Sequence, residues 1–294
     1  MERGLVRQPI AADLSGRTCL VTGASSGIGK QTAKELADLG ATVVLACRSS
    51  ERGERARQQI AAASGNSNVE LMLVDLADQG SIRRLATEFL ERYPKLHVLI
   101  NNAGIWSSRR RLSLDRIERT WATNVLGYFL LTALLLERLR HSAPARIVNV
   151  ASGRAGELDL NDVQFERRPY SGIHAYSQSK QADRMLTWAL ARRLKGSGVT
   201  ANAMHPGLVR TAIFRRGGGP LGWAAAIYAS LFGLKVEEGA DTAVWLAASP
   251  EVGQVSGKYW SRRQERRCRF RDPAAEEQLW RLCESMTGAA ETSR

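Results

Sequence analysis

Cysteine is scarce in this chain. Four residues (Cys19, Cys47, Cys268 and Cys283) are spread over 294 positions without a CxxC pair. That spacing argues against a disulfide-stapled secreted domain and for reduced thiols in a reducing, cytoplasmic compartment. Cys19 and Cys47 fall in apolar runs, where a thiol packs as a small hydrophobe. Histidine is equally thin: His97, His141, His174 and His205 match no ligand spacing, so no metal site is expected. The opening "MERGLVRQPIAADLSG" carries four charged side chains before Leu14 and has no apolar signal core. The longest apolar stretch outside the obvious core, "PLGWAAAIYASLFGL" at 220–234, is shorter than the roughly 20 residues a spanning helix requires. No transmembrane segment is expected. Internal repeats and low-complexity tracts are also missing.

What is present is apolar and basic. Hydrophobic residues make up 44% of the chain, enough for a sizeable core and against disorder. The net charge of +13 favours acidic small molecules, anionic membrane surfaces or nucleic acid as partners, and says nothing about fold. The most basic run, "SRRQERRCRFR" at 261–271, has no interleaved aromatic beyond Phe270. It reads as a solvated face, and nucleic acid is not expected as a partner.

Strand and helix patterns alternate. Short apolar runs at 17–23, 41–48, 69–75, 97–102, 146–152 and 199–206 predict strands, with a further short one in "GKYW". Helical periodicity predicts helices over 28–40, 51–63, 79–92 and 115–140, one beginning near His174, and others at 221–233, 237–248 and 273–286. Strands separated by helices of this length imply right-handed crossovers, and so an α/β doubly wound parallel sheet with helices on both faces. No linker interrupts the pattern. One domain is expected over 14–288, between a basic N-terminal tail (1–13) and a C-terminal tail (289–294).

Ligands of such sheets sit beyond the carboxyl ends of the strands. The first of these ends reads "TGASSGIGK", with Gly23, Gly27 and Gly29 between strand and helix. Without β-carbons the backbone can approach a pyrophosphate, and the helix N-terminus offers it free N–H groups. The spacing is G-x-x-x-G-x-G, not the commoner G-x-G-x-x-G. The second strand ends with Arg48, where an acid would bind the ribose 2′-hydroxyl of NAD; a cation there suits the 2′-phosphate of NADP. Lys30 and Arg52 add positive charge nearby. Further on, "HAYSQSK" puts Tyr176 and Lys180 four apart, on one helix face. A phenol with a pKa of about 10 needs a nearby cation to ionise near neutrality. That pairing fits either a solvated face or a phenol tuned for proton transfer.

"TGASSGIG", "NNAG" (101–104), Asn124, Ser152, "YSQSK" and "HPGLVRT" (205–211), in this order, resemble the short-chain dehydrogenase/reductase family. "VVLACRS", "GYFLLTALLL", "ARRLKGSGVT" and "SGKYW" resemble its retinol-dehydrogenase-like branch. The resemblance covers roughly 14–288 and implies a single-domain Rossmann-type fold that binds NADP(H). It implies Tyr176 as acid/base and Lys180 as the residue that holds the nicotinamide ribose and lowers the phenol's pKa. Ser152 would hydrogen-bond the substrate oxygen, and Asn124 would hold a water linking Lys180 to solvent. Cofactor contacts would come from Gly23, Ser25, Ser26, Gly27, Ile28, Gly29, Arg48, Leu76, Asn102, Ala103, Gly104, Pro206 and Gly207. Asp75 would contact adenine while also suiting a helix cap, and Thr211 would reach the nicotinamide amide.

Some positions depart from the branch. Ala151 precedes Ser152 where a second serine is common, and "TNVLGY" lacks a frequent histidine. Membrane-bound relatives carry an apolar N-terminal anchor that this chain does not show. The segment between Ser152 and Tyr176, with "RRP" at 167–169, is expected to rim the pocket. "RRGGGP" leading into 220–234 suggests a hinged flap over 212–236, with Trp223, Ile227, Leu231 and Leu234 on one apolar stripe. Arg215 and Arg216 would rest against an anionic membrane surface. The reading is an oxidoreductase acting on a small apolar alcohol or carbonyl that is retinoid-, aldehyde- or steroid-like. A catalytically silent NADP-binding regulator or scaffold is the alternative, and oligomeric state is left open.

Overall fold

The apolar runs take up strands because their β-branched residues fit a pleated surface covered on both sides. The computed structural model describes residues 9–210, 230–231, 233–268 and 270–289. Strands β1 (Thr18–Thr22), β2 (Thr42–Cys47), β3 (Val69–Leu73), β4 (Val98–Asn101), β5 (Ala145–Val150), β6 (Val199–Met204), β7 (Tyr259–Ser261) and β8 (Gln264–Glu265) form one sheet in the order β3-β2-β1-β4-β5-β6-β7-β8. All adjacent pairs are parallel except β7–β8. Leu20 of β1 sits between Val44 of β2 and Leu99 of β4, at the point where the strand order reverses. Ligand crevices form there in doubly wound sheets.

Helices α1 (Gly27–Asp38), α2 (Ser50–Ser64), α3 (Gln79–Arg92), α4 (Arg119–His141), α5 (Gly172–Arg193), α6 (Val236–Ala248) and α7 (Pro273–Thr287) cover the sheet. One core layer packs Leu85, Phe89, Trp121, Leu131, Trp188 and Leu279, from α3, α4, α5 and α7. The opposite layer packs Leu36, Ile60, Val244 and Trp245, from α1, α2 and α6. Each fully buried Leu, Ile or Phe contributes about 1.5–3 kcal/mol, so both faces are needed.

Three features differ from the sequence reading. The helix expected from 115 starts at Arg119, because Glu118 caps it: its carboxylate accepts from Thr120 N (3.0 Å) and Trp121 N (2.8 Å). Its second turn, Ala122–Leu126, is a π turn. α4 is also long and apolar enough to cross a membrane, but 72% of its most apolar window is buried within the fold. Finally, the described residues of 261–271 are mostly exposed, as a solvated face should be, but the segment also carries local structure. Arg262 and Arg263 (φ 53° and 56°) form a two-residue hairpin turn between β7 and β8, the conformation that matches strand twist. Arg263 pairs with Asp241 at 2.6 Å, and Arg271 lies 5.2 Å over the Trp188 ring.

Candidate active site

At the end of β1, two glycines have no room for a β-carbon. A Cβ on Gly23 (φ +67°) would lie 2.8 Å from Ala103 Cα, and one on Gly29 would lie 2.6 Å from Gly23 O. The β1 and β4 ends are tied through Thr22, whose Oγ1 accepts from Asn102 N (2.9 Å) and Ala103 N (3.1 Å). Asn102 Nδ2 donates back to Thr22 O at 2.8 Å. Ser26, the N-cap of α1, makes no side-chain capping bond, and the first turn carries no acid. The helix therefore presents unsatisfied N–H groups and an uncompensated positive dipole. A tight glycine cradle beside that helix end fits the pyrophosphate of a dinucleotide.

Arg48 follows β2 and is half exposed, with the nearest acid among the described residues, Asp75, at 3.9 Å. Lys30 is bonded to Gln59, on α2. Asp75 is not the cap of α3. That cap is Asp78, which accepts from Ser81 N at 3.1 Å, whereas Asp75 accepts from Ala77 N at 3.0 Å within the preceding turn. Leu76 is buried beneath Gly127, where a β-carbon would lie 2.9 Å from Leu76 O.

Across the crevice, Ser171 caps α5 by accepting from His174 N (3.4 Å). One turn on, Tyr176 (8% exposed) and Lys180 (3%) lie along the helix. Lys180 Nζ donates to Val150 O (2.9 Å) and Asp183 Oδ2 (2.8 Å) and lies 5.1 Å over the Tyr128 ring. Burial works against the ammonium, but Asp183, Tyr128 and Tyr176 oppose it and hold its pKa above that of a free lysine. Gly104 lies beside it: a Cβ there would be 3.7 Å from both Lys180 Nζ and Asn124 Oδ1. Asn124, in the π turn, accepts from Ile105 N (2.8 Å) and donates to Ile105 O and Ser179 Oγ (both 3.0 Å). Both amide hydrogens are thereby committed, so any water it helps to hold must use a carbonyl lone pair.

Ser152 lies two residues past β5, where its Oγ accepts from Arg154 N at 3.1 Å. Its carbonyl accepts from Tyr259 Oη (3.1 Å) and from the buried Arg184. Beside this group, burial and the cations Arg184, Arg266 and Arg262 push His205 down to about 4. Gly207 (φ +84°) faces Leu234, and Val209 pairs with Leu234 across a β-bridge.

Thr211, Arg215, Arg216, Trp223 and Ile227 lie outside the described residues. Leu231 is 63% exposed. The 152–176 segment is ordered by Asp162, which accepts from Glu166 N (2.7 Å) and from Arg167 N and Arg168 N. Arg168 bonds Gln178 (2.7 Å), while Arg167 and Pro169 are exposed.

Sequence reasoning missed Thr22, Asp183 and Arg184. The latter two stand three and four residues beyond Lys180, a spacing that shares its helix face. Ser25 and Ile28, in the glycine turn, and Pro206, after β6, stay at the carboxyl end of the sheet with the rest.

A sequence model of the family described as short chain dehydrogenase matches residues 17–217. Human retinol dehydrogenase 13 is 41% identical over 265 residues, covering 86% of this chain and 78% of that one. Retinol dehydrogenase 12 of Mus musculus is 41% identical over 279 residues, covering 92% and 86%. Among solved structures, an uncharacterized protein from Mycobacterium paratuberculosis superposes with a TM-score of 0.76 at 34% identity, covering 94% of this chain and 95% of that one. A short chain dehydrogenase from Burkholderia cenocepacia J2315 in complex with NADP does so at 0.66 and 30% identity, covering 84% and 96%. With the doubly wound sheet, the glycine cradle and these relatives in agreement, the chain belongs to the short-chain dehydrogenase/reductase family, in its retinol-dehydrogenase-like branch.

Proposed function

We propose that this oxidoreductase uses NADP(H) to interconvert an apolar alcohol and its carbonyl, with Tyr176 as the acid/base. The observation that carries the reading is the buried Tyr176–Lys180 pair on α5, facing the glycine cradle across Gly104. When bound, the nicotinamide supplies or accepts the hydride. In reduction, the Tyr176 hydroxyl donates its proton to the carbonyl oxygen and becomes the phenolate; in oxidation the phenolate takes the proton from the alcohol. The Ser152 hydroxyl donates a hydrogen bond to the same oxygen, where charge develops. Lys180 holds the ribose and stabilises the phenolate electrostatically. Asn124 keeps the Ile105 backbone and Ser179 fixed beside Lys180.

NADP is favoured over NAD because Arg48 closes β2 with no acid nearer than 3.9 Å among the described residues, leaving its guanidinium available to a 2′-phosphate. The Burkholderia relative is solved with NADP. The relatives' names support a lipophilic, retinoid-like substrate. The test is a cofactor-consumption screen over retinal, a chain-length series of aldehydes, steroids and quinones, with NADPH and NADH. Turnover with NADPH should increase with apolar chain length, up to about fourfold in kcat/KM per methylene (~0.8 kcal/mol) until the pocket fills. A folded protein that binds NADPH and reduces none of these carbonyls would instead be the silent nucleotide-binding regulator.

A further inference from the structure

Three residues beyond Lys180, Asp183 is a carboxylate with 0% side-chain exposure. Its Oδ2 is 2.8 Å from Lys180 Nζ, and its Oδ1 has no hydrogen-bond partner among the described residues. An ammonium has three protons to donate. Val150 O takes one and Asp183 another, leaving one for the space beside Gly104. A buried acid at this spacing is not needed to fold the helix. Polar Ser179, Gln181 and Arg184 and apolar Ala182, Met185 and Leu186 are buried around it on α5, and a lone carboxylate in such a place is costly without its cation.

We infer that Asp183 is a positioning residue for the proposed reaction: it clamps the Lys180 ammonium against the β5 carbonyl and offsets its charge, so that the ion pair, not Lys180 alone, sets the pH range in which Tyr176 exchanges its proton. This inference rests on the roles proposed above for Tyr176 and Lys180. The groups facing the pair are Tyr176 and Arg184 from α5, Tyr128 from α4, and Cys283 and Glu284 from α7; β5 contributes Asn149 and the Val150 carbonyl. Burial pushes the Tyr128 phenol and the Cys283 thiol well above their ordinary ranges, so both stay neutral. Burial, opposed by Lys180, also pushes Asp183 up to about 6, so it is charged under alkaline assay conditions. A cavity of about 60 Å³ lined by Tyr128, Thr132, Asn149, Asp183, Trp280 and Glu284 lies behind the pair.

The signs follow from the charges. Carbonyl reduction needs the phenol protonated, so its rate falls at high pH. Removing the negative charge leaves the ammonium uncompensated, which favours the phenolate. It also lets buried Lys180 lose its proton earlier. Both changes move the alkaline limb the same way.

The test is the pH dependence of kcat/KM for retinal reduction with NADPH, in wild type, Asp183→Asn, Asp183→Ser and Tyr176→Phe. Both neutral Asp183 variants should move the alkaline limb down by about one pH unit, while still binding NADPH as read by fluorescence quenching. The serine variant stands in if the asparagine variant does not fold. A folded neutral variant whose rate falls uniformly, with the limb unmoved or moved up, overturns the inference. If Tyr176→Phe keeps the wild-type rate and limb, the proposed function itself fails, independently of Asp183.

Discussion

Helices α1 and α5 both face the crevice and do so by different means. α1 buries Gly29, Thr32, Ala33, Leu36 and Ala37, a stripe of mostly small residues, and leaves its N-terminal turn without a side-chain cap or an acid. α5 is buried at 17 of its 22 positions, including Ser177, Gln178, Ser179, Lys180, Gln181, Asp183 and Arg184, and offers side chains. A backbone site constrains the chain through what must be absent, the β-carbons. A side-chain site constrains it through what must be present, each polar group held by another. Damage to α1 should therefore appear in cofactor affinity, and damage to α5 in the chemical step, except at Lys180, where both should suffer.

The largest effect expected is from Tyr176→Phe, which removes only the transferable proton. Single-turnover rates should fall by about 10²–10⁴, with NADPH affinity within a few-fold. Retention of more than a tenth of the rate would break the division between the helices. Next is Gly29→Ala, whose added carbon would lie 2.6 Å from a backbone carbonyl. Overpacking of this kind costs about 1–3 kcal/mol. Titration calorimetry should show NADPH binding weakened roughly 10- to 100-fold, whereas Lys34→Ala on the outer face of α1 should leave it unchanged. Arg48→Asp should be milder: preference moves from NADPH towards NADH by about tenfold. Equal NADPH affinity in mutant and wild type would transfer the selectivity to Lys30 or Arg52.

The smallest effect concerns stability. Burial, with Arg17 and Lys95 nearby, pushes His97 from 6.5 down to about 4, and its Nδ1 accepts from Thr18 N at 2.9 Å. On acidification the unfolded imidazole takes up a proton first, so stability falls from about pH 6.5 down to about 4. His205 has the same sign, while Asp183, shifted upward, has the opposite sign between about 6 and 3.8. His97→Gln should recover a few degrees of the Tm lost between pH 7 and pH 5, at ~2–4 °C per kcal/mol. An unchanged acid loss, followed by calorimetry, would move the effect to His205.

The strands and most helices were legible because period and length leave few alternatives for a run such as "ATVVLACR" flanked by glycine and helix. The glycine cradle was legible for the same reason: a turn without β-carbons between strand and helix has few other uses. The start of α4 was not, because the Glu118 cap depends on Leu112 pairing with it across a bridge formed only in the folded chain. The hairpin at 262–263 was hidden because neither arginine advertises positive φ. Asp183 was missed for a subtler reason: its spacing from Lys180 was visible, but its burial was not.

The last strand has a consequence for how copies of this protein can meet. β8 is two residues long, both exposed and one charged, and follows a turn of two arginines. An edge so short and charged gives an approaching strand almost no ladder to extend. Growth of the sheet from one molecule into the next is thus disfavoured on that side.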